Sequence, residues 1–372
     1  MMKSRIQRGF LAAFALVLAV TVGADSGPNH QQPSDQFGTS GGNINDITKR
    51  FCCSGTLGAL VSDGSALYIL SNNHVLARSG QAGNGEDVSQ PGLIDNNCRP
   101  GTIVANFTTA APLGSSNVDA AIARLRTGTM DPAGTIMDIG SPSSTVTAPS
   151  VGLAVSKSGR TTGRTNGTIG SINTSVNVQY QQNCGQGKKF VISYTGQIVI
   201  NSSTFSAGGD SGSLIVTNSS AHNPVGLLFA GSSSTTIANP IGQVLTRVGT
   251  ALGRSVSFNL GVGGAGGGRG GPSSEQVANS ALSDSEVARG TSAKERHAAR
   301  LMTDPAIFGV GVGEDPASPG RAAVIIYANR GLARAAIARE LDGVATHVIE
   351  TDPIVAYGWN AAMGGAVSCG AK

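Results

Sequence analysis

Between residues 55 and 230 the apolar residues come in short, β-prone runs divided by turn residues, and hardly anywhere at the three- and four-residue spacing of an amphipathic helix. Runs at 56–61 and 66–71 flank Ser62-Asp63-Gly64-Ser65, and an Asp-Gly pair between two such runs predicts a hairpin. Further runs lie at 102–107, 120–125, 153–157, 167–180, 190–194, 197–201, 214–217 and 225–230. Many short strands separated by turns restrict this part of the chain to a β-barrel or β-sandwich. The interruption comes at 240–252. There Ile241, Val244, Leu245, Val248 and Leu252 recur at spacings of three and four behind Pro240, which predicts an amphipathic helix that closes the domain.

The flanks read differently. Lys3, Arg5 and Arg8 precede an apolar run at 10–22 and the small residues Gly23 and Ala24, the layout of a signal peptide over residues 1–24. Without that segment the formal charge falls from +4 to +1, so the basic balance is largely a targeting feature. No cluster of Lys and Arg interleaved with aromatics remains, which excludes a nucleic-acid partner as an expectation. No later stretch is long and apolar enough to span a bilayer, so no stable membrane insertion is expected after cleavage. Residues 25–50 are polar with no apolar period and are expected to form a flexible leader or propeptide.

After the main domain, expected over 51–256, eight glycines in the eleven positions 261–271 predict a flexible linker, bounded here as 257–280. Helix-like stretches at 292–302 and 332–341 and strand-like ones at 307–312, 322–327 and 344–349 then describe a small α+β domain over 281–360, with a tail at 361–372. Gly309-Val310-Gly311-Val312-Gly313 lacks the Gly-x-Gly-x-x-Gly spacing followed by a helix, so it is read as a tight strand-to-turn transition and no cofactor is expected. A loosely tethered module leaves the enzyme fold independent of it, and its expected role is to meet a protein or cell-surface partner.

The chemistry concentrates in Gly208-Gly209-Asp210-Ser211-Gly212-Ser213. Small neighbours can hold a serine hydroxyl and the adjacent backbone N–H groups open to a substrate, as nucleophilic acyl chemistry requires. Of the five histidines only His74, just past the first hairpin, is placed to act as a base. Asp119 opens an apolar strand-like run, where a buried carboxylate needs a partner such as an imidazole; Asp95, Asp131 and Asp138 are its competitors. The chain order is His, Asp, Ser, with separations of 45 and 92 residues, room for one small barrel around the first two and a second around the serine.

From about Cys53 to Gly253 the chain resembles the trypsin-like (chymotrypsin-fold) serine peptidases, particularly the secreted bacterial type. The resemblance rests on the His-Asp-Ser order, on Asn73-His74-Val75, on Val118-Asp119-Ala120-Ala121-Ile122, on Ser158-Gly159-Arg160-Thr161-Thr162-Gly163 and on the Gly208 to Ser213 loop. It implies an all-β double β-barrel (chymotrypsin-like) with a closing helix, followed here by the small α+β domain. It also implies a secreted endopeptidase, extracellular or periplasmic, acting on protein or peptide substrates through an acyl-enzyme. His74, Asp119 and Ser211 would be its catalytic residues, and the backbone N–H groups of Gly209 and Ser211 its oxyanion donors. Asp210 would be a structural residue beneath the loop. Phe205 would floor the primary substrate pocket, and Phe229, Ala230, Gly231 and Ser232 would wall it. Neither region carries the acid that selects Lys or Arg, so a small or apolar side chain is expected, with a polar or acidic one left open by the Ser/Thr run at 232–236. The Ile-Val-Gly-Gly start used by trypsin-like zymogens after activation is missing.

Two other classes share these features: a non-catalytic binding protein on a peptidase scaffold, and an esterase or acyltransferase with the same triad. The cysteines fit export. Adjacent Cys52 and Cys53 are poorly placed to close on each other, so two bridges to Cys98 and Cys184 are expected, in either order, with Cys369 as a tail thiol or intermolecular partner. No metal-ligand spacing accompanies them.

Overall fold

The computed structural model describes residues 29–261, 281–329, 337–356 and 366–368. The stretch 55–62 is one extended run divided at Gly58 into β3 (Gly55–Leu57) and β4 (Ala59–Ser62). β3 pairs with β1 (Thr39–Asn43), and β4 with β5 (Leu67–Ser71). With β6 (Asp87–Gln90), β7 (Thr102–Ala110) and β8 (Ala121–Leu125), the sheet runs β3-β1-β6-β7-β8-β5-β4. Because its two edges are consecutive pieces of one run, the sheet returns on itself as a barrel filled by Phe37, Leu57, Leu60, Ile69, Val88 and Ile122. α1 (Asn73–Leu76) is a single turn on leaving β5.

A second barrel forms from β9 (Ala154–Gly159), β10 (Gly163–Asn183), β11 (Gln186–Asn201), β12 (Leu214–Thr217), β13 (Pro224–Gly231) and β14 (Thr235–Pro240). Its order is β11-β14-β13-β12-β9-β10, and β10 pairs back onto β11 to close it. The runs expected at 190–194 and 197–201 are one strand. α2 (Ile241–Leu252) begins after Pro240 and stops at Gly253, whose φ of 75° is the left-handed cap that glycine takes without strain. It buries Ile241, Val244 and Val248 in the first barrel's core. The double β-barrel with a closing helix is therefore the architecture of residues 37–258.

Several expectations change on the flanks. Residues 39–43 are not a leader: β1 lies between β3 and β6 in the first barrel. Thr39-Ser40-Gly41-Gly42-Asn43 has no apolar signal because its burial depends on absent side chains. A Cβ on Gly41 would stand 2.4 Å from Cγ of Leu57. The α+β unit is present as α3 (Asp284–Leu301), β15 (Ile307–Glu314), β16 (Ala322–Asn329), β17 (Glu340–Leu341) and β18 (Val344–Thr351). It does not stand apart, because β15 pairs antiparallel with β10 and extends the second sheet. The strand expected at 307–312 is present, but the strand-to-turn transition expected at 309–313 comes later, because β15 continues through Gly313 to Glu314. A Cβ on Gly311 would fall 2.3 Å from Oγ1 of Thr174, so glycine is what lets β15 approach β10. The helix expected at 332–341 also fails where it is described: Glu340 and Leu341 turn back through Asp342 and Gly343, both at positive φ, to pair with β18. The signal peptide and most of the glycine linker lie outside the described residues.

The bridges are Cys52–Cys98 and Cys53–Cys184, with Cα separations of 5.5 and 5.7 Å; Cys369 lies outside the described residues. Beside them, Asp46 is buried between β1 and β2 (Phe51–Cys53), its carbonyl accepting from the Cys53 N–H at 3.0 Å. Burial raises its carboxyl to about 7, with the Arg78 charge pulling it down and the Glu86 charge pushing it up. The folded protein thus keeps a proton that the unfolded chain releases near pH 4. Stability is full below about pH 4 and declines as the pH rises through 7. Urea unfolding of wild type should lose up to about 4 kcal/mol across that window. Asp46→Asn should lack this component, and equal slopes in the two proteins would show that Asp46 titrates normally.

Candidate active site

β5 ends at Ser71, and the chain turns into α1 with His74 on it, while Asp119 stands just before β8, the strand paired with β5. Strand pairing therefore brings together residues 45 positions apart. Asp119 Oδ2 accepts from His74 Nδ1 at 2.6 Å, and Oδ1 accepts from the His74 backbone N–H at 3.2 Å. Both side chains are wholly buried. The Asn72 amide donates to the Asp119 carbonyl at 2.7 Å, and the Asp119 N–H donates to Asn239 Oδ1 at 2.9 Å, which ties the carboxylate to β14 of the second barrel. The competitors are engaged elsewhere: Asp95 takes two bonds from the Arg160 guanidinium, Asp131 caps a turn and Asp138 meets His30.

The second barrel contributes a partner for the carboxylate. The Tyr180 hydroxyl, from β10, donates to Asp119 Oδ2 at 2.8 Å and lies 2.7 Å from the Tyr194 hydroxyl of β11. Burial, followed by the Asp119 charge and Tyr194, holds the Tyr180 phenol well above its ordinary value, so it stays protonated as a donor.

Ser211 leaves the loop before β12 in the same crevice. Its carbonyl accepts from the Thr56 N–H at 2.8 Å, and a Cβ on Gly55 would meet both Val75 and the Ser211 carbonyl. At Gly209, φ is +97° and a Cβ would lie 2.5 Å from Thr161 Oγ1, so backbone conformation and space both demand glycine. Ser211 is buried, and its Oγ donates to the Phe229 carbonyl at 3.2 Å. His74 Nε2 has no hydrogen-bond partner among the described residues. The serine-to-imidazole bond is thus not made in this arrangement.

The family model for peptidase family S64 matches residues 60–245, half of the chain. The chain belongs to peptidase family S64. It is a serine endopeptidase with a chymotrypsin-like fold. No curated protein is detectably similar in sequence. Among solved structures it is similar to a glutamic acid-specific serine protease that uses a histidine triad in substrate binding, at 22% identity over 60% of this chain and 98% of that one, with a TM-score of 0.39. It is also similar to Thermobifida fusca protease A, at 21% identity over 56% and 95% of the two chains with a TM-score of 0.36. Cellulomonas bogoriensis chymotrypsin matches at 19% identity over 57% and 95%, with a TM-score of 0.38.

In this S64 peptidase, Asp210 has partners that the sequence did not disclose. It accepts from the backbone N–H groups of Thr161, Thr162 and Ala207 at 2.8, 3.2 and 3.0 Å, and from the Thr162 hydroxyl at 2.7 Å. Lys157 Nζ lies 3.4 Å from Oδ2, and both side chains are fully buried. Burial lowers the Lys157 ammonium from its ordinary value, and the Asp210 charge opposes the shift. Lys157 ends an apolar run and has no local signal of its role; Tyr180 likewise reads only as one of the alternating apolar positions of a strand. Of the residues expected to line the substrate pocket, Phe229 borders Ser211 through its carbonyl, and its ring packs 4.9 Å from that of Tyr194. Ala230 and Gly231 follow along β13. Ser232 Oγ lies 2.8 Å from Thr235 Oγ1. The Phe205 ring sits in the second barrel's core, against Gly167 and Ile200. Removing Lys157 should leave Asp210 as an uncompensated buried charge. Lys157→Met is expected to lower the unfolding free energy by roughly 3–5 kcal/mol, and Lys157→Met/Asp210→Asn should recover most of that loss in the same denaturation measurement.

Proposed function

We propose that Ser211 is the nucleophile of this peptidase, His74 its general base and Asp119 the carboxylate that orients the imidazole. The observation that carries this reading is the buried 2.6 Å bond from His74 Nδ1 to Asp119 Oδ2. It holds the neutral imidazole with its proton on Nδ1, which leaves Nε2 free to accept one. For attack, the Ser211 hydroxyl has to leave the Phe229 carbonyl and donate to that nitrogen. The oxygen then attacks a peptide carbonyl, and its proton passes to His74 and on to the leaving amine. The acyl-enzyme that forms is hydrolysed by a water activated at the same nitrogen. The N–H groups of Gly209 and Ser211 receive the developing oxyanion, where one lost donor costs on the order of 100- to 1000-fold in rate.

Tyr180 acts as a positioning residue through Asp119. It occupies the remaining acceptor direction of Oδ2 and shares the carboxylate's charge, which fixes the acid in place and tempers its pull on the imidazole proton. The substrates proposed are proteins or peptides with a small or apolar side chain before the cut, because no acid lies among Phe229, Ala230, Gly231 and Ser232. Two disulfides and the signal-like segment at 1–24 support action outside the cytoplasm. Among the described residues no helix is long and apolar enough to cross a membrane.

A proteome-derived peptide library digested by wild type and by Ser211→Ala tests the assignment and reads the specificity together; cleavage that survives in Ser211→Ala would sink it. Tyr180→Phe should lower kcat by about 10-fold with little change in KM. A fall in kcat accompanied by a lowered unfolding midpoint would make Tyr180 merely structural.

A further inference from the structure

The nucleophile is covered. Ser211 has no exposed surface, although a peptide bond must reach its Oγ from solvent. The strand that borders it, β13, runs on from Phe229 to Ala230 and Gly231, and β14 takes one edge of those two residues. The other edge is taken by β19 (Val355–Ala356), from beyond the α+β unit. Ala230 pairs with Ala356 and Gly231 with Val355, antiparallel. The far side of β19 lies on β10, where the Gln179 N–H donates to the Ile354 carbonyl at 2.9 Å. Ile354, Val355 and Ala356 are buried, with Ile354 and Ala356 packed in one apolar cluster with Tyr180, Tyr194 and Phe229. Just upstream, Thr351 Oγ1 lies 2.5 Å from Ser232 Oγ and 3.0 Å from Ser234 Oγ, and Asp352 accepts from the Ser233 hydroxyl. The chain is held again at β20 (Ala366–Ser368), which pairs antiparallel with β2, the strand that leads into the Gly55–Thr56 contact with Ser211.

An extended peptide that presents its carbonyl to Ser211 must add as a strand to the open edge beside it, because that edge supplies the backbone hydrogen bonds that hold and align it. The edge next to Phe229 is the one β19 fills. We propose that residues 354–356 occupy in cis the strand position of the peptide substrate, so that the folded chain is self-inhibited until this segment leaves. The inference rests on the reading of Ser211 as nucleophile. A tethered strand competes at a high effective concentration, so diffusing substrates meet a site that is already filled. The Thr351 and Asp352 contacts with Ser232, Ser233 and Ser234 pin the segment at the margin of the groove. Release is a loss of strand pairing and requires no bond to be cut.

The test compares hydrolysis of a fluorogenic tetrapeptide, and fluorophosphonate labelling of Ser211, in three full-length proteins: wild type, Val355→Pro/Ala356→Pro, and the same double variant with Ser211→Ala. Proline removes the strand's backbone donors and leaves the rest of the chain in place. A second form, ended after Pro353, removes the segment altogether. The expected result is a rise in kcat/KM of about 10-fold or more in both released forms, reversed by a synthetic peptide of residues 350–358 that competes with substrate. Equal kcat/KM in wild type and both released forms, with unchanged unfolding midpoints, would overturn the proposal. So would lower activity accompanied by lower midpoints, which would make the segment a structural strand. If the double variant still turns over substrate after Ser211→Ala, the nucleophile assignment is wrong, and the inhibition proposal falls with it.

Discussion

A strand of 21 residues offers more backbone donors and acceptors than the neighbours in a small barrel can take up, and β10 is such a strand. One portion pairs with β9 and most of its length with β11, which closes the second barrel. The excess has to be satisfied, because a buried unpaired backbone group costs about as much as a lost hydrogen bond. β15 takes up Ser171, Ile172, Ser175 and Val176, and β19 lies beside Gln179. The same strand carries Tyr180 to Asp119. Closure of the barrel, attachment of the C-terminal strands and the position of the carboxylate therefore depend on one extended segment, and a change in its register would move all three.

The polar groups of the crevice follow a second rule. Lys157 with Asp210, Arg160 with Asp95 and His74 with Asp119 are buried or nearly so, and in a low-dielectric interior each is tolerable only when paired and hydrogen-bonded. Their arrangement is economical in chain terms. The segment 157–163 leaves β9 with the lysine, gives Arg160 to Asp95 and turns its Thr161 and Thr162 N–H groups onto Asp210. The loop that bears Ser211 is thereby held from below by the acid next to it. That fixes the backbone around the serine, whose hydroxyl donates to the Phe229 carbonyl.

The strands of both barrels were largely legible because most are short β-prone runs, each bounded by its own turn residues. The run at 214–217 coincides with β12, and Pro240 and Gly253 bracket α2 as local capping rules require. β1 escaped notice because a strand buried through glycine carries no apolar period. The run at 307–312 reads as a strand, but the reason for its glycines does not show locally: in β15 they allow close approach to another strand, a need that arises only in three dimensions. Tyr180 and Lys157 look like ordinary core positions until the partner strands and loops bring Asp119 and Asp210 to them.

The sequence by itself determined the residue types and their order: a serine between glycines, an upstream histidine and aspartate, strand-length runs and cysteines for two bridges. These are local properties, set by backbone permissiveness, side-chain chemistry and periodicity. Only the tertiary structure decided which Cys52 and Cys53 partners form bridges, which carboxylate meets His74, what supports the loop acid and which segment lies beside Ser211. Each of those depends on strand pairing between residues far apart in the chain, and pairing across a sheet is settled by burial and register that no local pattern contains.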